Sequence, residues 1–304
     1  MIDDARYPPA SQCPAIGMLT LRVLGDLQRW TATELPGHPD LPLTFVALGE
    51  AVIHPWATPD QLRLSGRMAA WVCAADDHVE RDVTELDELD EFIDRCDTVL
   101  RTGRQDDSRP LLASLSRWQR ELVDEPLYPK LAELWERKFA ACMRAMRYDW
   151  LVGMSRADGM ATAPAAGVDE YLDNADSISV WQVHLPRWIS SGRADLADHL
   201  DVLVPALDDI AVVGRLANDL AGYSRERTDP RENNVLMYGV SPEWVRTEID
   251  SRVGAVRARL ADLVDRDYPP AVGLVRLAEW TVGIYAHTDP RVSPTKPPYD
   301  LSGA

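Results

Sequence analysis

The sequence predicts an all-α protein. Apolar residues recur every three to four positions through most of its 304 residues, which is the pattern of helices packed on a core. No segment alternates apolar and polar residues as a half-buried strand does, and stretches rich in proline or glycine separate the helical segments. We find no internal repeat and no obvious linker. The chain is therefore predicted to form one domain over residues 1–304, with irregular tails at 1–16 and 292–304.

The helices of the first half follow from these signals in order. Helices are predicted at 17–34 and 45–54, on either side of a break that contains proline and glycine. Thr58-Pro59-Asp60-Gln61 predicts a helix start, because threonine caps, proline fits the first turn and glutamine completes a capping box. This helix is expected to run to about Glu80. Further helices are predicted at 84–102, 110–122 and 126–152.

The second half begins with a stretch rich in glycine and alanine, 153–167, which is a predicted loop. A helix with a break at Pro186 follows at 168–190, since proline interrupts the helical hydrogen bonds. The remaining predicted elements are one or two helices within 193–227, a helix from Ser241-Pro242-Glu243 to about Val264, and a last helix at about 270–286.

Composition excludes several function classes. The net charge of −17 argues against nucleic acid and anionic membrane surfaces as partners. No apolar stretch is long enough to span a bilayer. The four cysteines are scattered without a C-x-x-C pair, and the N-terminal residues are acidic without an apolar signal segment. We therefore expect a cytoplasmic protein.

The most informative segment is the pentad Asp76-Asp77-His78-Val79-Glu80, which ends the apolar run 68–75. Acidic groups at the end of a buried helix are costly unless their charge is compensated. Asp76 and Glu80 are four positions apart and share one helix face, so a cation between them would relieve their repulsion. Oxygen ligands suit a hard ion such as Mg²⁺. The pentad therefore predicts a metal site at the mouth of an apolar cavity.

A second polar cluster ends another apolar helix. Asn218, Gly222 and Glu226 fall at intervals of four, so one helix face presents all three. An amide oxygen and a carboxylate can hold another hard cation, with water at the glycine. The guanidinium of Arg225, next to Glu226, is suited to contact an anion bridged by metal ions.

The two segments resemble the metal-binding motifs of class I terpene synthases of the bacterial type. The pentad is similar to the family's DDxxD or DDxxE motif, and Asn218–Glu226 is similar to its NDxxSxxxE motif, in the family's order and spacing. The resemblance extends over residues 50–292. It implies a single helical bundle around a central apolar cavity. It also implies an enzyme, a carbon–oxygen lyase that uses three Mg²⁺ ions.

The resemblance assigns roles to individual residues. Asp76, Asn218 and Glu226 are the expected catalytic metal ligands, and Asp77 and Glu80 complete the acidic set. Arg225 and Arg291 are expected to bind the diphosphate of a prenyl diphosphate substrate. The metals would stabilise the leaving group, and the cavity would hold the carbocation until it loses a proton. Trp181 and Trp280 are the aromatic residues we expect first in that cavity. A homodimer is the family's usual assembly.

The sequence also departs from the family pattern. Gly222 stands where the family has serine or threonine, and Ala175 stands where a Tyr-Leu-x-x-Arg segment has the arginine that senses diphosphate. Val292 replaces the tyrosine of a C-terminal Arg-Tyr pair. Ala175, with the small residues Ala74, Ala75 and Gly222, favours a C20 substrate, either geranylgeranyl diphosphate or a bicyclic diterpenyl diphosphate.

Other functions are weighed against this one. The alternative hypothesis for the substrate is farnesyl diphosphate, which would make the protein a sesquiterpene synthase. A chain-elongating prenyltransferase would need a second DDxxD motif, which the sequence lacks. The departures also admit a helical scaffold that has lost catalysis. No G-x-S-x-G, P-loop, G-x-G-x-x-G, H-E-x-x-H or D-x-D-D pattern points to other chemistry.

Overall fold

The structure is a computed structural model that describes Ser11 and residues 13–157, 167–229 and 231–287. These ranges contain eleven α-helices and no strand, so the all-α prediction is confirmed. The helices are α1 (Cys13–Glu34), α2 (Leu43–Ile53), α3 (Arg63–Arg81), α4 (Leu86–Thr102), α5 (Pro110–Val123), α6 (Tyr128–Ala157), α7 (Val168–Asp173), α8 (Val180–Ile189), α9 (Leu200–Glu226), α10 (Pro242–Val264) and α11 (Pro269–His287). Short 3₁₀ turns cover Asp60–Leu62, Ala175–Ile178, Ala194–His199 and Val235–Tyr238.

Two predicted boundaries are wrong. Helix α1 begins at Cys13, so residues 13–16 are helical rather than part of an irregular tail. Helix α6 continues to Ala157, because a single glycine at position 153 costs only about 1 kcal/mol inside a helix and is not a stop signal by itself. The predicted tail at 292–304 lies outside the described residues.

The break predicted at Pro186 lies elsewhere. Pro186 is inside α8, where it removes only one N–H from the helical ladder of a ten-residue helix. The chain instead leaves the helical path between α7 and α8. Ala175 opens a 3₁₀ turn there, and Ser179 has a φ of 63°, a left-handed conformation that a following α-helix cannot share.

Helix α8 connects the two helices that carry the polar motifs. It packs against α3 on one side and α9 on another, and it also contacts α6. Helix α9 packs further against α10 and α11, while α11 contacts α2. Apolar side chains from all of these helices form one buried core. No helix in the described ranges is long and apolar enough to cross a membrane.

Candidate metal centre and cavity mouth

The pentad lies at the C-terminal end of α3, at the outer end of a partly exposed strip of that helix. Ala69 and Val72 precede Asp76 by seven and four positions, so they share its face. All three are partly exposed, whereas Met68 and Ala70 on either side are fully buried. Glu80 continues the strip and is exposed. A partly exposed, apolar strip of α3 therefore runs from the acidic residues back along the helix.

Asp77 points to a different side of α3. It is about 100° around the helix from Asp76. Its Oδ1 pairs with Nη1 of Arg81 at 2.8 Å, and its Oδ2 lies 3.6 Å from Nδ1 of His38 in the segment between α1 and α2. His78 is engaged by Asp82 at 2.9 Å. The protein itself therefore supplies the partners of Asp77.

The end of α9 is more deeply buried. Glu226 is 5% exposed, and its Oε2 accepts a hydrogen bond from Nδ2 of Asn234 at 2.8 Å. Its Oε1 pairs with Nη2 of Arg225 at 2.9 Å. A Cβ at Gly222 would lie only 1.9 Å from this Oε1, so the carboxylate occupies the space that a serine side chain would need. Asn218, two turns earlier, is partly exposed.

Arg225 is the one of the two predicted diphosphate-binding arginines that lies within the described residues. Arg225 is 41% exposed, and its Nη1 lies 3.2 Å from Oε1 of Glu232 in the loop that follows α9. It therefore contacts two carboxylates while keeping access to solvent. Arg291 lies outside the described residues.

Asp219 faces inward, away from solvent, and is the centre of a buried hydrogen-bond network. The hydroxyl of Tyr171 donates to its Oδ2 at 2.6 Å, and the backbone N–H of Val235 donates to the same oxygen at 3.2 Å. Arg215 donates in turn to the tyrosine hydroxyl. Burial raises the pKa of Asp219 to about 7, although Arg215 and Tyr171 act in the opposite direction.

The network extends to α6 and to the loop 227–239 after α9. Arg215 Nη1 pairs with Oδ2 of Asp149 at 2.9 Å, and its Nη2 donates to the carbonyl of Asn233 at 2.6 Å. The side chain of Asn233 donates to Asp149 at 2.6 Å. Asn234 donates to Glu226 and also to the carbonyl of Asp219, at 2.9 Å. The loop is thereby fastened to the end of α9 and to α6.

A close backbone contact adds to this fastening. A Cβ at Gly153 would lie 2.1 Å from the carbonyl oxygen of Arg231. Only glycine lets α6 approach the loop so closely, which explains a glycine inside a thirty-residue helix.

The two predicted cavity tryptophans have different surroundings. Trp181 is fully buried, and its Nε1–H donates to Oδ1 of Asp208 at 2.8 Å. The ammonium group of Lys138 lies 4.2 Å from the centre of its ring. Trp280 is partly exposed and packs against Phe45, with ring centres 6.3 Å apart. These contacts tie Trp181 to α6 and α9, and they leave Trp280 as the more accessible ring.

The donor atoms fit a hard divalent cation by type. The α3 set consists of carboxylates, and the α9 set combines the carboxylate of Glu226 with the amide of Asn218, so all are oxygen donors. The two sets lie toward the C-terminal ends of α3 and α9, and α8 packs against both of these helices. Among the described residues, no three or more His, Cys, Asp or Glu side chains form a group that could hold a metal ion. The candidate donors on α3 and α9 therefore do not meet in one such group, and we describe them as two candidate half-sites.

Sequence reasoning missed the residues that support the α9 half-site. Tyr171 enters the sequence prediction only as the start of the Tyr-Leu-x-x-Arg segment that lacks its arginine, and Asn233 and Asn234 do not enter it. Two adjacent amides just after a metal-motif helix were the available signal, because asparagine side chains can pair with both carboxylates and backbone groups. Arg215 carried a second signal, since a charged residue in an apolar helix needs a buried partner.

The chain is similar to known proteins over most of its length. Residues 67–241 match the family model described as terpene synthase family 2, C-terminal metal binding. An ent-pimara-9(11),15-diene synthase from Streptomyces sp. strain KO-3988 is 43% identical over 272 residues, which cover 89% of this chain and 91% of the relative.

Two solved structures have the same fold at low identity. Isoprene synthase from grey poplar leaves, in complex with three Mg²⁺ ions and dimethylallyl-S-thiolodiphosphate, superposes with a TM-score of 0.63 at 20% identity, covering 92% of this chain and 56% of that one. Linalool/nerolidol synthase from Streptomyces clavuligerus, with 2-fluorogeranyl diphosphate, gives a TM-score of 0.59 at 16% identity, covering 84% and 94%.

Proposed function

The chain belongs to the terpene synthase family and is a bacterial-type class I terpene synthase, and we propose that its substrate is a C20 prenyl diphosphate. The relative from Streptomyces is named for a pimaradiene, a diterpene. A bicyclic diterpenyl diphosphate is our first candidate substrate, because Ala175 removes the family's sensor arginine and the sequence lacks the D-x-D-D motif of protonation-initiated cyclisation. Geranylgeranyl diphosphate is the second candidate.

The observation that carries the proposal is the pair of oxygen-donor half-sites at the ends of α3 and α9. We assign Mg²⁺ to them, as three ions, with Asp76 and Glu80 as ligands from α3 and Asn218 and Glu226 as ligands from α9. Asp77 is the weakest of the predicted ligands, because Arg81 and His38 already contact its carboxylate. When bound, Mg²⁺ would supply positive charge that stabilises the diphosphate as it leaves.

The residues of the chain have separate tasks in the reaction. Arg225 is exposed enough to exchange Glu232 for a diphosphate oxygen. The bond between the substrate carbon and the diphosphate oxygen breaks, and its electron pair leaves with the diphosphate. The cation that remains faces the apolar strip of α3, where Val72 and Ala69 exclude water. A proton is then lost from a neighbouring carbon to give an alkene. Trp280 and Arg291 stay predicted substrate contacts, as does Trp181.

The test is incubation of the purified protein with Mg²⁺ and farnesyl, geranylgeranyl or copalyl diphosphate. Copalyl diphosphate is the bicyclic diterpenyl compound, and each of its two enantiomers is tested. We expect diphosphate release and a hydrocarbon only with a C20 substrate. Asp76→Ala and Asn218→Ala should each abolish release, while Asp124→Ala, a change at a residue after α5, should not. Turnover of farnesyl diphosphate alone would replace our substrate with the sesquiterpene alternative.

The alternative of an inactive scaffold has one observation in its favour, the carboxylate of Glu226 folded over Gly222. A folded protein that releases no diphosphate from any of these substrates would support it. A homodimer, a single domain over residues 1–304 and a cytoplasmic location stay predictions.

A further inference from the structure

A further polar cluster, separate from the motifs on α3 and α9, lies near the N-terminal end of α3. Ser65 precedes Asp76 by eleven positions on the same helix face, about 16 Å away along the axis toward the N-terminus of the helix. It is fully buried, and its hydroxyl donates to Oε2 of Glu50 on α2 at 2.9 Å. Glu50 is only 4% exposed. The partly exposed strip that begins at the acidic pentad therefore ends at a buried carboxyl group.

Helix α8, which packs against α3, carries a similar strip of partly exposed apolar residues that ends at a buried polar side chain. Val180, Val183 and Arg187 follow one another at intervals of three and four, so they share a side of the helix. The two valines are partly exposed, while Arg187 is 8% exposed. Its Nε and Nη1 have no hydrogen-bond partner among the described residues. The charge of Arg187 acts on Glu50 and favours the ionised carboxylate.

Two histidines complete what we call the floor cluster, defined as Glu50, His54, Ser65, His184 and Arg187. The rings of His54 and His184 are 6.3 Å apart, and Nε2 of His54 has no hydrogen-bond partner within the part of the chain that the structure describes. Burial lowers the pKa of His184 to about 4 and also lowers that of His54, on which Arg187, His184 and Arg276 act in the same direction. Both imidazoles are therefore neutral near pH 7.

Burying the polar groups of the floor cluster lowers the stability of the folded protein. Buried donors without partners cost free energy that an apolar side chain would not, and a buried guanidinium without a close carboxylate costs more. Groups of this kind concentrate at functional sites. Burial also raises the pKa of Glu50 to about 7, despite the hydrogen bond from Ser65 and the charge of Arg187, which matches the requirement for a general base at neutral pH.

We propose that Glu50 is the base that ends the reaction, taking the proton from the last carbocation at the Ser65 end of the α3 strip. This inference rests on the proposed function. A C–H bond next to the cationic carbon breaks, its electron pair forms the C=C bond, and the proton binds to a carboxylate oxygen of Glu50. Ser65 is the positioning residue that orients the carboxylate, and the charge of Arg187 favours its ionised form. The proton leaves to solvent after the product departs.

The experiment compares Glu50→Gln with the unmodified enzyme on the C20 diphosphate that it turns over. Ionisation precedes proton loss, so diphosphate release should fall by less than about threefold, whereas the share of the main hydrocarbon should fall at least about fivefold in favour of other alkenes or alcohols. Glu121→Gln, the same change at a residue of α5 that pairs with Arg63, is the matched control and should leave the product mixture intact. Thermal unfolding checks that each variant is folded.

A pH series distinguishes a base from a structural tie between α2, α3 and α8. The share of the main product should rise with pH through about 7 in the unmodified enzyme, because the base must be ionised. Ser65→Ala, which removes a hydrogen bond that lowers the pKa of Glu50, should shift this midpoint upward, and Glu50→Gln should show no midpoint.

Three outcomes separate the two proposals. An unmodified enzyme without diphosphate release would overturn the proposed function and this inference with it. Normal release with an unchanged product mixture in folded Glu50→Gln would overturn the inference alone, and would leave the diphosphate co-product as the base. If Glu50→Gln fails to fold, a pH midpoint that Ser65→Ala does not move would contradict it.

Discussion

The ends of α3 and α9 carry similar chemistry in different surroundings. The acidic residues of α3 lie at an open edge, where Asp76 is partly exposed and Glu80 is exposed. Glu226 of α9 is 5% exposed and is held by Asn234 and Arg225. Behind it, Asp219 anchors a network that reaches α6. One candidate half-site is therefore open, and the other is fixed by the fold.

If the donors of α3 and α9 bind one charged ligand together, as we propose, this difference gives the two sets of donors different tasks in binding and release. A rigid half keeps its donor atoms in place without a further entropy cost on binding, while an exposed half can adjust to the ligand. A residue that supports a fixed ligand then matters nearly as much as the ligand. Mutations on the α9 side should therefore have effects beyond the ligands themselves.

The largest expected effect is the loss of Glu226 itself. Glu226→Gln keeps the size of the side chain but removes its charge, so we expect kcat to fall about 1,000-fold through lost stabilisation of the leaving diphosphate. Asp76→Asn should be equally severe. Diphosphate release under saturating Mg²⁺ measures both. Near-normal turnover in Glu226→Gln would mean that the buried half-site does not hold metal.

The second effect concerns a residue that touches no substrate in our proposal. Asn234→Ala removes the hydrogen bonds to Glu226 and to the carbonyl of Asp219, so we expect a loss of about 10- to 100-fold in apparent Mg²⁺ affinity. The concentration of Mg²⁺ at half-maximal rate measures this. Gln105→Ala, in the exposed loop before α5, is the control. An unchanged Mg²⁺ dependence in Asn234→Ala would contradict the idea of a fixed half-site.

Position 222 tests the fit between glycine and the carboxylate above it. Gly222→Ala adds a Cβ that would lie 1.9 Å from Oε1 of Glu226, so the carboxylate must move, and we expect activity to fall about tenfold. Gly222→Ser adds the same atom and an oxygen that can bind a cation. Serine should therefore be less harmful than alanine when rates are compared across Mg²⁺ concentrations. Equal losses would show that position 222 does not face the metal.

The smallest effect is expected at Asp77. Its partners are Arg81, which is largely exposed, and His38, so Asp77→Asn should change kcat by less than about threefold and stability by less than about 1 kcal/mol. Steady-state kinetics and thermal unfolding measure the two quantities. A loss as large as that of Asp76→Asn would return Asp77 to the ligand set and make the open half-site broader than we propose.

The helices and the motif residues could be predicted because their signals are local. The spacing of Asp76 and Glu80, or of Asn218 and Glu226, is set by the helix itself. The network around Asp219 could not be predicted, because Asp149, Tyr171 and Asn233 come from three segments whose meeting depends on tertiary packing. Pro186 shows the opposite error. Proline is a strong local signal for a break, but α8 continues through Pro186 and ends at Ile189.

The contact at Gly153 has a consequence for the evolution and engineering of this enzyme. A side chain at this position would push the carbonyl of Arg231 away, and with it the loop that carries Asn233 and Asn234. The cost would appear as lost activity, although the position contacts no ligand in our proposal. Libraries that diversify α6 to change the product should therefore hold codon 153 constant, so that remodelling of the cavity is not confused with damage to the loop.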